Sequence, residues 1–134
     1  MRYMMLIYTD ENAAAEMSPQ EKEKVQIAHW DLMAEAKKQN AFRAAEPLHP
    51  TSSATTVRVQ SGKPLISDGP FAETKEQLGG YYILDCKDLD EAIEWAAKIP
   101  TARGNSPGCV EIRPLREIPP RPKTFQPSLT PQSP

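Results

Sequence analysis

The sequence predicts an α+β domain with an antiparallel sheet, and three observations support this. Residues 2–8 and 80–86 are apolar at almost every position, as strands covered on both faces usually are. Two other stretches carry helix-start signals followed by apolar residues at helical spacing. Between them lie shorter runs separated by turn residues, which predict strands in a hairpin arrangement. The predicted order is strand, long helix, hairpin strands, strand, helix and strand.

The composition favours a single domain whose net charge does not attract it to nucleic acid or to acidic lipid. With 134 residues the chain is long enough to bury a hydrophobic core without disulfides or a structural metal. A formal net charge of -2 predicts no attraction to nucleic acid or acidic lipid. The apolar N-terminal run ends at Asp10, too short for a signal peptide or a membrane span, so we expect a cytoplasmic protein. Cys86 and Cys109 are expected to be reduced and to lie in apolar, strand-like surroundings.

The first strand is residues 2–8, and the polar, alanine-rich run over residues 9–17 is predicted to be a loop. The long helix then begins with Ser18 as its cap, Pro19 at the first helical position and Glu21 completing a capping box. This helix is predicted to have one apolar face, because four apolar residues recur at three- and four-residue steps. They are Val25, Ala28, Leu32 and Ala36.

The helix should run to about Gln39, and His29 lies on its apolar face. Residues 42–48 are predicted to form the second strand, and residues 54–60 the next one, in which apolar and polar residues alternate. Ser61-Gly62-Lys63 then supplies a hairpin turn into residues 64–67.

The C-terminal half repeats the strand–helix–strand order. After residues 80–86, Asp88 begins a second capping-box signal, and Pro100 ends the helix that follows. Residues 109–113 read as the last strand. The buried stripe of this helix is predicted at Leu89, Ala92, Trp95, Ala96 and Ile99.

This order is typical of a ferredoxin-like α+β sandwich, in which two helices cover one face of the sheet. Because residues 2–8 and 80–86 are apolar on both faces, the other face is expected to lie in a homodimer interface beside a cleft. The domain is predicted over residues 1–115. Residues 116–134 form a Pro-rich tail that suits neither a helix nor a central strand.

The densest run of turn signals and charges is residues 68–82. Asp68 follows a short apolar strand and precedes Gly69-Pro70, which predicts a sharp turn. One interpretation is that Asp68 caps a helical turn beginning at Pro70. The other is that Asp68 is a half-buried carboxylate beside Phe71 with an acid–base role. Gly79-Gly80 predicts a bulge or a close approach of two backbones.

Histidine and arginine candidates lie elsewhere in the chain. His29 is either an ordinary core histidine or a catalytic partner of Asp68. Arg58 faces away from the two valines of its strand and would point into the dimer cleft, where it would hold an anion. His49, in a loop, is expected to be exposed.

The charges that follow Asp68 also have two interpretations. Glu73 and Lys75 belong either to a solvated surface or to a site in which Lys75 holds an anionic substrate and Glu73 works with Asp68. Tyr81 or Tyr82 would add a hydroxyl to the same cavity. The spacing of the carboxylates matches no calcium loop, and we predict no metal and no cofactor.

The run Asp68-Gly69-Pro70-Phe71-Ala72-Glu73-Thr74-Lys75-Glu76, with Gly79-Gly80-Tyr81, resembles the DGPF branch of the YCII-related proteins. The resemblance extends from Tyr3 to about Arg113. It implies a bacterial protein with a dimeric α+β-barrel fold. It also implies enzymes that use a histidine and an aspartate in the dimer cleft, and so points to Asp68 first and His29 second.

Two functions remain open at this point. The first is a small-molecule enzyme that performs proton transfer, elimination or isomerisation, with Asp68 and His29 as catalytic residues. The second is a non-catalytic ligand-binding or regulatory module, since the branch is also similar to proteins associated with sigma factors. A sigma factor is the partner that the second function implies.

Overall fold

The computed structural model describes residues 1–124, so predictions for the last ten residues of the tail lie outside it. Within residues 1–124 the chain forms six strands and three α-helices. They are β1 (Arg2–Thr9), α1 (Glu11–Ala15), α2 (Pro19–Lys38), β2 (Phe42–Pro47), β3 (Thr55–Gln60), β4 (Lys63–Asp68), β5 (Gln77–Asp85), α3 (Leu89–Ala96) and β6 (Cys109–Pro114).

Four of the strands form an antiparallel sheet in the order β2-β5-β1-β6, which confirms the predicted α+β class. The central pair is formed by the two stretches that are apolar on both faces. On one face, β1 and β5 bury a row of large side chains under the helices. The core contains Tyr3, Met5 and Ile7 of β1, Tyr82 and Leu84 of β5, Leu32 and Ala36 of α2, and Ala92 and Trp95 of α3.

The long helix α2 begins as predicted. The Ser18 hydroxyl accepts a hydrogen bond from the Glu21 backbone N–H at 3.1 Å, and the Glu21 carboxylate accepts one from the Ser18 N–H, so the capping box is complete. The predicted loop before α2 is wrong, because residues 11–15 form the short helix α1. The Asp10 carboxylate caps α1 by accepting from the N–H groups of Asn12 and Ala13.

The second helix prediction needs a smaller correction. Asp88 caps α3 by accepting from the Glu91 N–H, and Trp95 is buried as expected. Leu89, predicted in the buried stripe, is instead 52% exposed, because it occupies the first position of the helix at the edge of the core. Cys109 is also exposed, against the prediction, whereas Cys86 is buried.

The other face of the sheet is apolar and only half covered. There, Leu6 lies opposite Tyr81 and Met4 lies opposite Ile83, and all four residues are partly accessible. None of the three helices is placed to bury this row, since the row alternates with the side chains that the helices cover. We call Met4, Leu6, Tyr8, Leu78, Tyr81 and Ile83 the open face.

Strands β3 and β4 form a separate two-stranded sheet joined by the tight turn Ser61-Gly62. Both turn residues have positive φ, 52° and 75°, as a type I′ hairpin turn requires. Every residue of β4 is exposed, and so are most residues of β3. The hairpin thus presents a large apolar surface. Its exposed apolar residues are Val57, Val59, Leu65 and Ile66.

A β-bulge interrupts β5 where the glycine pair was predicted to cause one. Ile7 pairs with Gly80 but Tyr8 pairs with Leu78, which leaves Gly79 as the extra residue. Gly80 is also a point of close approach, because a Cβ there would lie 2.8 Å from the Glu46 carbonyl oxygen of β2. Along the described residues, no helix has the length and apolar character that crossing a membrane requires.

Candidate functional site

The strongest chemical feature of the molecule joins the helix layer to the sheet. His29 of α2 places its Nδ1 2.7 Å from the phenolic oxygen of Tyr82 on β5. The two rings also stack, with centroids 5.8 Å apart and planes 20° from parallel. Tyr82 is only 3% exposed. A buried phenol therefore holds a partly accessible imidazole in one orientation.

Burial keeps both rings in their neutral forms near neutral pH. It raises the pKa of Tyr82 to about 12, because a phenolate is poorly solvated there. It also lowers the pKa of His29 below the ordinary 6.5, and the nearby Arg103 charge lowers it further. A neutral imidazole and a neutral phenol each have one donor and one acceptor to offer.

His29 and Tyr82 open into a cleft of about 520 Å³ between α2, β2 and β5. Its polar lining includes Thr9, Glu46 and Arg103, while the rest is largely apolar. The apolar wall includes Ile7, Val25, Trp30, Met33, Ala45 and Pro47. Volume and lining are those of a small-molecule site with a few convergent polar groups.

Arg103 brings the positive charge of this cleft from the loop between α3 and β6. Its Nη1 donates to the carbonyl oxygens of Ala102 at 2.9 Å and Pro100 at 3.4 Å. No carboxylate of the described residues lies within ion-pair distance of it. Desolvation lowers the pKa of Arg103.

The loop that carries Arg103 is fixed at both ends. Arg103 and Ser106 exchange two backbone hydrogen bonds of 2.8 and 2.9 Å around Gly104, whose φ of 56° suits the first central position of a type II′ turn. Thr101 donates its hydroxyl to the Pro107 carbonyl at 2.8 Å. A Cβ at Gly108 would lie 2.8 Å from the Tyr8 carbonyl, so the loop lies directly against β1.

Asp68 ends the exposed hairpin, residues 69–76 follow it in the segment before β5, and none of them lines the His29 cleft. Asp68 is exposed at the end of β4, opposite Thr55, and its carboxylate forms no hydrogen bond or ion pair with the described residues. His29 contacts Tyr82 and not Asp68. The capping interpretation is wrong, because no helix follows Pro70 and no backbone N–H reaches the Asp68 carboxylate.

The other predicted site residues are divided among four places. Tyr81 borders the His29 cleft, although its side chain belongs to the open face on the other side of the sheet. Arg58 is exposed on β3, and Glu73 is exposed in the segment before β5. Lys75 lines a second, more polar cleft of about 640 Å³ between α1, α2 and the Arg103 loop. His49 is exposed, as predicted.

Two features of the site were missed by the sequence reasoning. Arg103 carries no local signal except its place in a glycine- and proline-rich loop, and only the fold brings it to His29. Tyr82 was named as a candidate hydroxyl, but its pairing with His29 joins residues 53 positions apart in the sequence. Across residues 1–124 no group of three metal-binding side chains is brought together.

Comparison with known proteins identifies the family of this chain. The chain is 41% identical over 118 residues to a protein of Rhizobium meliloti (strain 1021) that is described as uncharacterized, and the match covers 86% of this chain and 92% of the relative. Residues 1–119 match the family model of the YCII-related domain. The chain therefore belongs to the YCII-related family.

Proposed function

We propose that this protein binds a small molecule in the His29 cleft and transfers a proton to or from it. The observation that carries the proposal is the 2.7 Å contact between His29 Nδ1 and the Tyr82 hydroxyl at the base of a mainly apolar cleft. An imidazole whose pKa is lowered by burial and that lines a ligand-sized cleft is a candidate functional group. The reaction class that this arrangement suits is proton abstraction next to a carbonyl, as in isomerisation or elimination.

In one tautomer of His29, the imidazole can act as the base while the Tyr82 phenol acts as a hydrogen-bond donor. If Nδ1–H of His29 donates to the Tyr82 oxygen, Nε2 keeps its lone pair and accepts a proton from the substrate. The Tyr82 O–H is then free to donate to the oxyanion that develops on the substrate carbonyl. Return of the proton from the imidazolium to another substrate atom would complete an isomerisation and restore the starting enzyme.

The proposal extends to a ferredoxin-like fold and to a homodimer. The sheet order β2-β5-β1-β6 with helices on one face supports a ferredoxin-like fold. The open face and the exposed apolar hairpin support a homodimer in which the second copy covers both. We also place the chain in the DGPF branch of its family, on the residues from Asp68 to Glu76.

In such a dimer, the Asp68 carboxylate acts as the second acid–base group. The support is indirect: Asp68 is exposed, unpaired among the described residues, and carried by a hairpin whose apolar side chains residues 1–124 leave exposed. A hairpin of this kind is suited to reach across a two-fold axis.

The test is a metabolite-library thermal-shift screen on the wild type and on matched variants. His29→Gln and Tyr82→Phe should lose the stabilisation by a hit compound, whereas His49→Gln, which alters the exposed histidine, should keep it. Hits that stabilise His29→Gln as well as the wild type would contradict a site at His29. Asp68→Asn should reduce turnover of a reactive hit and leave its binding largely intact.

A second candidate function is supported by the hairpin itself. Its exposed apolar residues, with Ile66 70% and Phe71 78% accessible, would also suit a regulatory protein partner such as a sigma factor. Under that alternative Ile66→Lys abolishes partner binding without affecting dimer formation. Under the enzyme proposal the same substitution weakens the dimer, so sedimentation of Ile66→Lys separates the two functions.

A further inference from the structure

Arg103 is a half-buried cation without a partner anion in the described residues. Its side chain lines a mainly apolar cleft, and the only carboxylate among the cleft-lining residues, Glu46, forms no ion pair with it. Taking a guanidinium from water without a counter-charge is unfavourable, and proteins normally offset this by pairing. An arginine without a partner among residues 1–124, in a ligand-sized cleft, therefore indicates that a ligand supplies the anion.

The hydrogen bonds of Arg103 leave part of its guanidinium available. Nη1 donates to the two backbone carbonyls of the loop, while Nη2 and Nε have no acceptor among residues 1–124. Because the loop is held by the Arg103–Ser106 pair and packs against β1 through Gly108, the fork is fixed before any ligand arrives. A planar fork with two free donor positions matches a carboxylate or a similar planar oxyanion.

The other residues that line the cleft indicate the shape and polarity of the rest of the ligand. Trp30, Met33 and Val25 of α2 line one side, and Gly79 and Gly80 of β5 belong to the lining of the other. The Trp30 indole offers a flat apolar surface, which favours a flat apolar body. The volume of about 520 Å³ is enough for one or two rings.

We propose that the cleft takes a small organic anion with a flat apolar body, whose carboxylate or enolate-like oxyanion is bound by Arg103. This inference rests on the proposed function, because it assumes that the His29 cleft is a ligand site, and it adds the chemical class of the ligand. It also reassigns the anion-binding role that the sequence suggested for Arg58 or Lys75.

The test compares carboxylates with their uncharged carboxamides on the full-length protein. Benzoate and benzamide form one matched pair, and 1-naphthoate and 1-naphthamide the other, titrated while the NMR signals of the His29 ring and the Trp30 indole are followed. Both carboxylates should shift these signals and bind more tightly than their amides. In Arg103→Gln the carboxylates should lose about tenfold or more in affinity, since a charge-assisted bidentate contact is removed.

Two further variants make the comparison specific. Arg58→Gln removes the same charge from the hairpin and should leave carboxylate binding unchanged. Arg103→Lys keeps the charge but not the planar fork, and its affinity should lie between those of the wild type and Arg103→Gln. If Arg103→Gln fails to fold, Arg103→Lys still shows whether carboxylate binding depends on the guanidinium, because lysine keeps the charge.

The titrations distinguish an error in the anion class from an error in the choice of the cleft as a ligand site. Amides that shift the His29 signals as strongly as the carboxylates would overturn the anion class and leave the cleft as a ligand site. If no member of either pair shifts His29 or Trp30, both the anion class and the cleft proposal are contradicted. Loss of carboxylate binding in Arg58→Gln alone would move the anion site to the hairpin and overturn the assignment to Arg103.

Discussion

The contact between His29 and Tyr82 ties the pKa of a surface-accessible group to the packing of the core. Burial is the larger cause of the lowered His29 pKa, and the charge of Arg103 is the smaller one. The imidazole therefore stays neutral at a pH where an exposed histidine begins to take up a proton. Two measurable consequences follow from these two causes.

The first consequence concerns stability. The folded pKa of His29 lies below its ordinary value of 6.5, so the unfolded chain binds more protons over the interval between the two values. The free energy of unfolding should therefore fall as the pH is lowered from 6.5 toward the folded pKa. His29→Gln should flatten this dependence, whereas His49→Gln should keep the wild-type slope. Urea unfolding at a series of pH values measures both, and equal slopes in all three proteins would contradict the burial of His29.

The second consequence concerns Arg103. In Arg103→Gln the smaller cause is removed, so the pKa of His29 should rise but remain below 6.5, because burial persists. An NMR titration of the His29 ring gives this value directly. Arg58→Gln serves as the control with the same loss of charge and should leave the His29 pKa unchanged. An unchanged value in Arg103→Gln would mean that the guanidinium does not act on His29.

At this scale the sequence allowed His29 and Tyr82 to be named, but not to be joined. His29 could be placed on the apolar face of α2 from helical periodicity, and Tyr82 on a central strand from alternation. Which pair meets depends on how α2 lies across the sheet, which no local pattern specifies. Arg103 could not be found, because its position depends on a loop folding back against β1.

Among the elements, β5 pairs on both sides, as β1 does, and it also carries the bulge. Gly79 and Gly80 are neighbours with different surroundings. A Cβ at Gly79 would meet the Thr9 hydroxyl oxygen at 3.5 Å, an ordinary contact, while one at Gly80 would lie 2.8 Å from the Glu46 carbonyl oxygen and 3.2 Å from the Pro47 Cα. The neighbouring backbone at Gly80 has little freedom to move away.

Two alanine substitutions test this difference. Gly80→Ala should lower the free energy of unfolding by about 1–3 kcal/mol, the usual cost of forcing extra volume into a packed site. Gly79→Ala should change it by less than about 0.5 kcal/mol, as substitutions without a clash usually do. Chemical denaturation of the two variants provides the measurement. Equal losses would mean that the close approach of β5 to β2 is not what requires glycine.

Helices show where sequence signals suffice. The start of α2 was predicted correctly because Ser18, Pro19 and Glu21 act locally and are independent of the rest of the chain. The short helix α1 was missed because five residues give too little periodicity to detect, although its cap, Asp10, is a standard signal. The predicted helical turn after Pro70 was wrong, since a favourable first residue does not by itself sustain a helix.

At the scale of the whole molecule, the open face and the β3–β4 hairpin are two apolar surfaces that residues 1–124 leave partly or fully accessible. Apolar residues on both faces of β1 and β5 allowed the uncovered face to be predicted from alternation alone. The detachment of the hairpin could not be predicted, because the same alternating pattern would suit a fifth and sixth strand of one sheet. Only the pairing of β5 with β2 shows that the hairpin lies outside it.

The dimer proposal can be tested by charge insertion on the open face. Leu6→Lys should convert the dimer to a monomer, because an ammonium group would be buried at the centre of the proposed interface. Ile27→Lys is the matched control, since Ile27 is 51% exposed on α2, away from the sheet. Sedimentation velocity on the three proteins gives the result, and a wild-type protein that sediments as a monomer would contradict the proposal outright.

The bulge at Gly79 also determines how the chain tolerates changes in length. With the extra residue, Leu78 shares the open face with Tyr81, while Gln77 reaches the other side and accepts from the Glu11 N–H at 2.9 Å. Without the bulge, regular alternation from Tyr81 would exchange the faces of Gln77 and Leu78, whereas deleting the extra residue Gly79 would leave both on the faces they now occupy. A single missing codon at this position would thus keep the glutamine where α1 is anchored, just as replacing the same glycine by alanine leaves every neighbour in position.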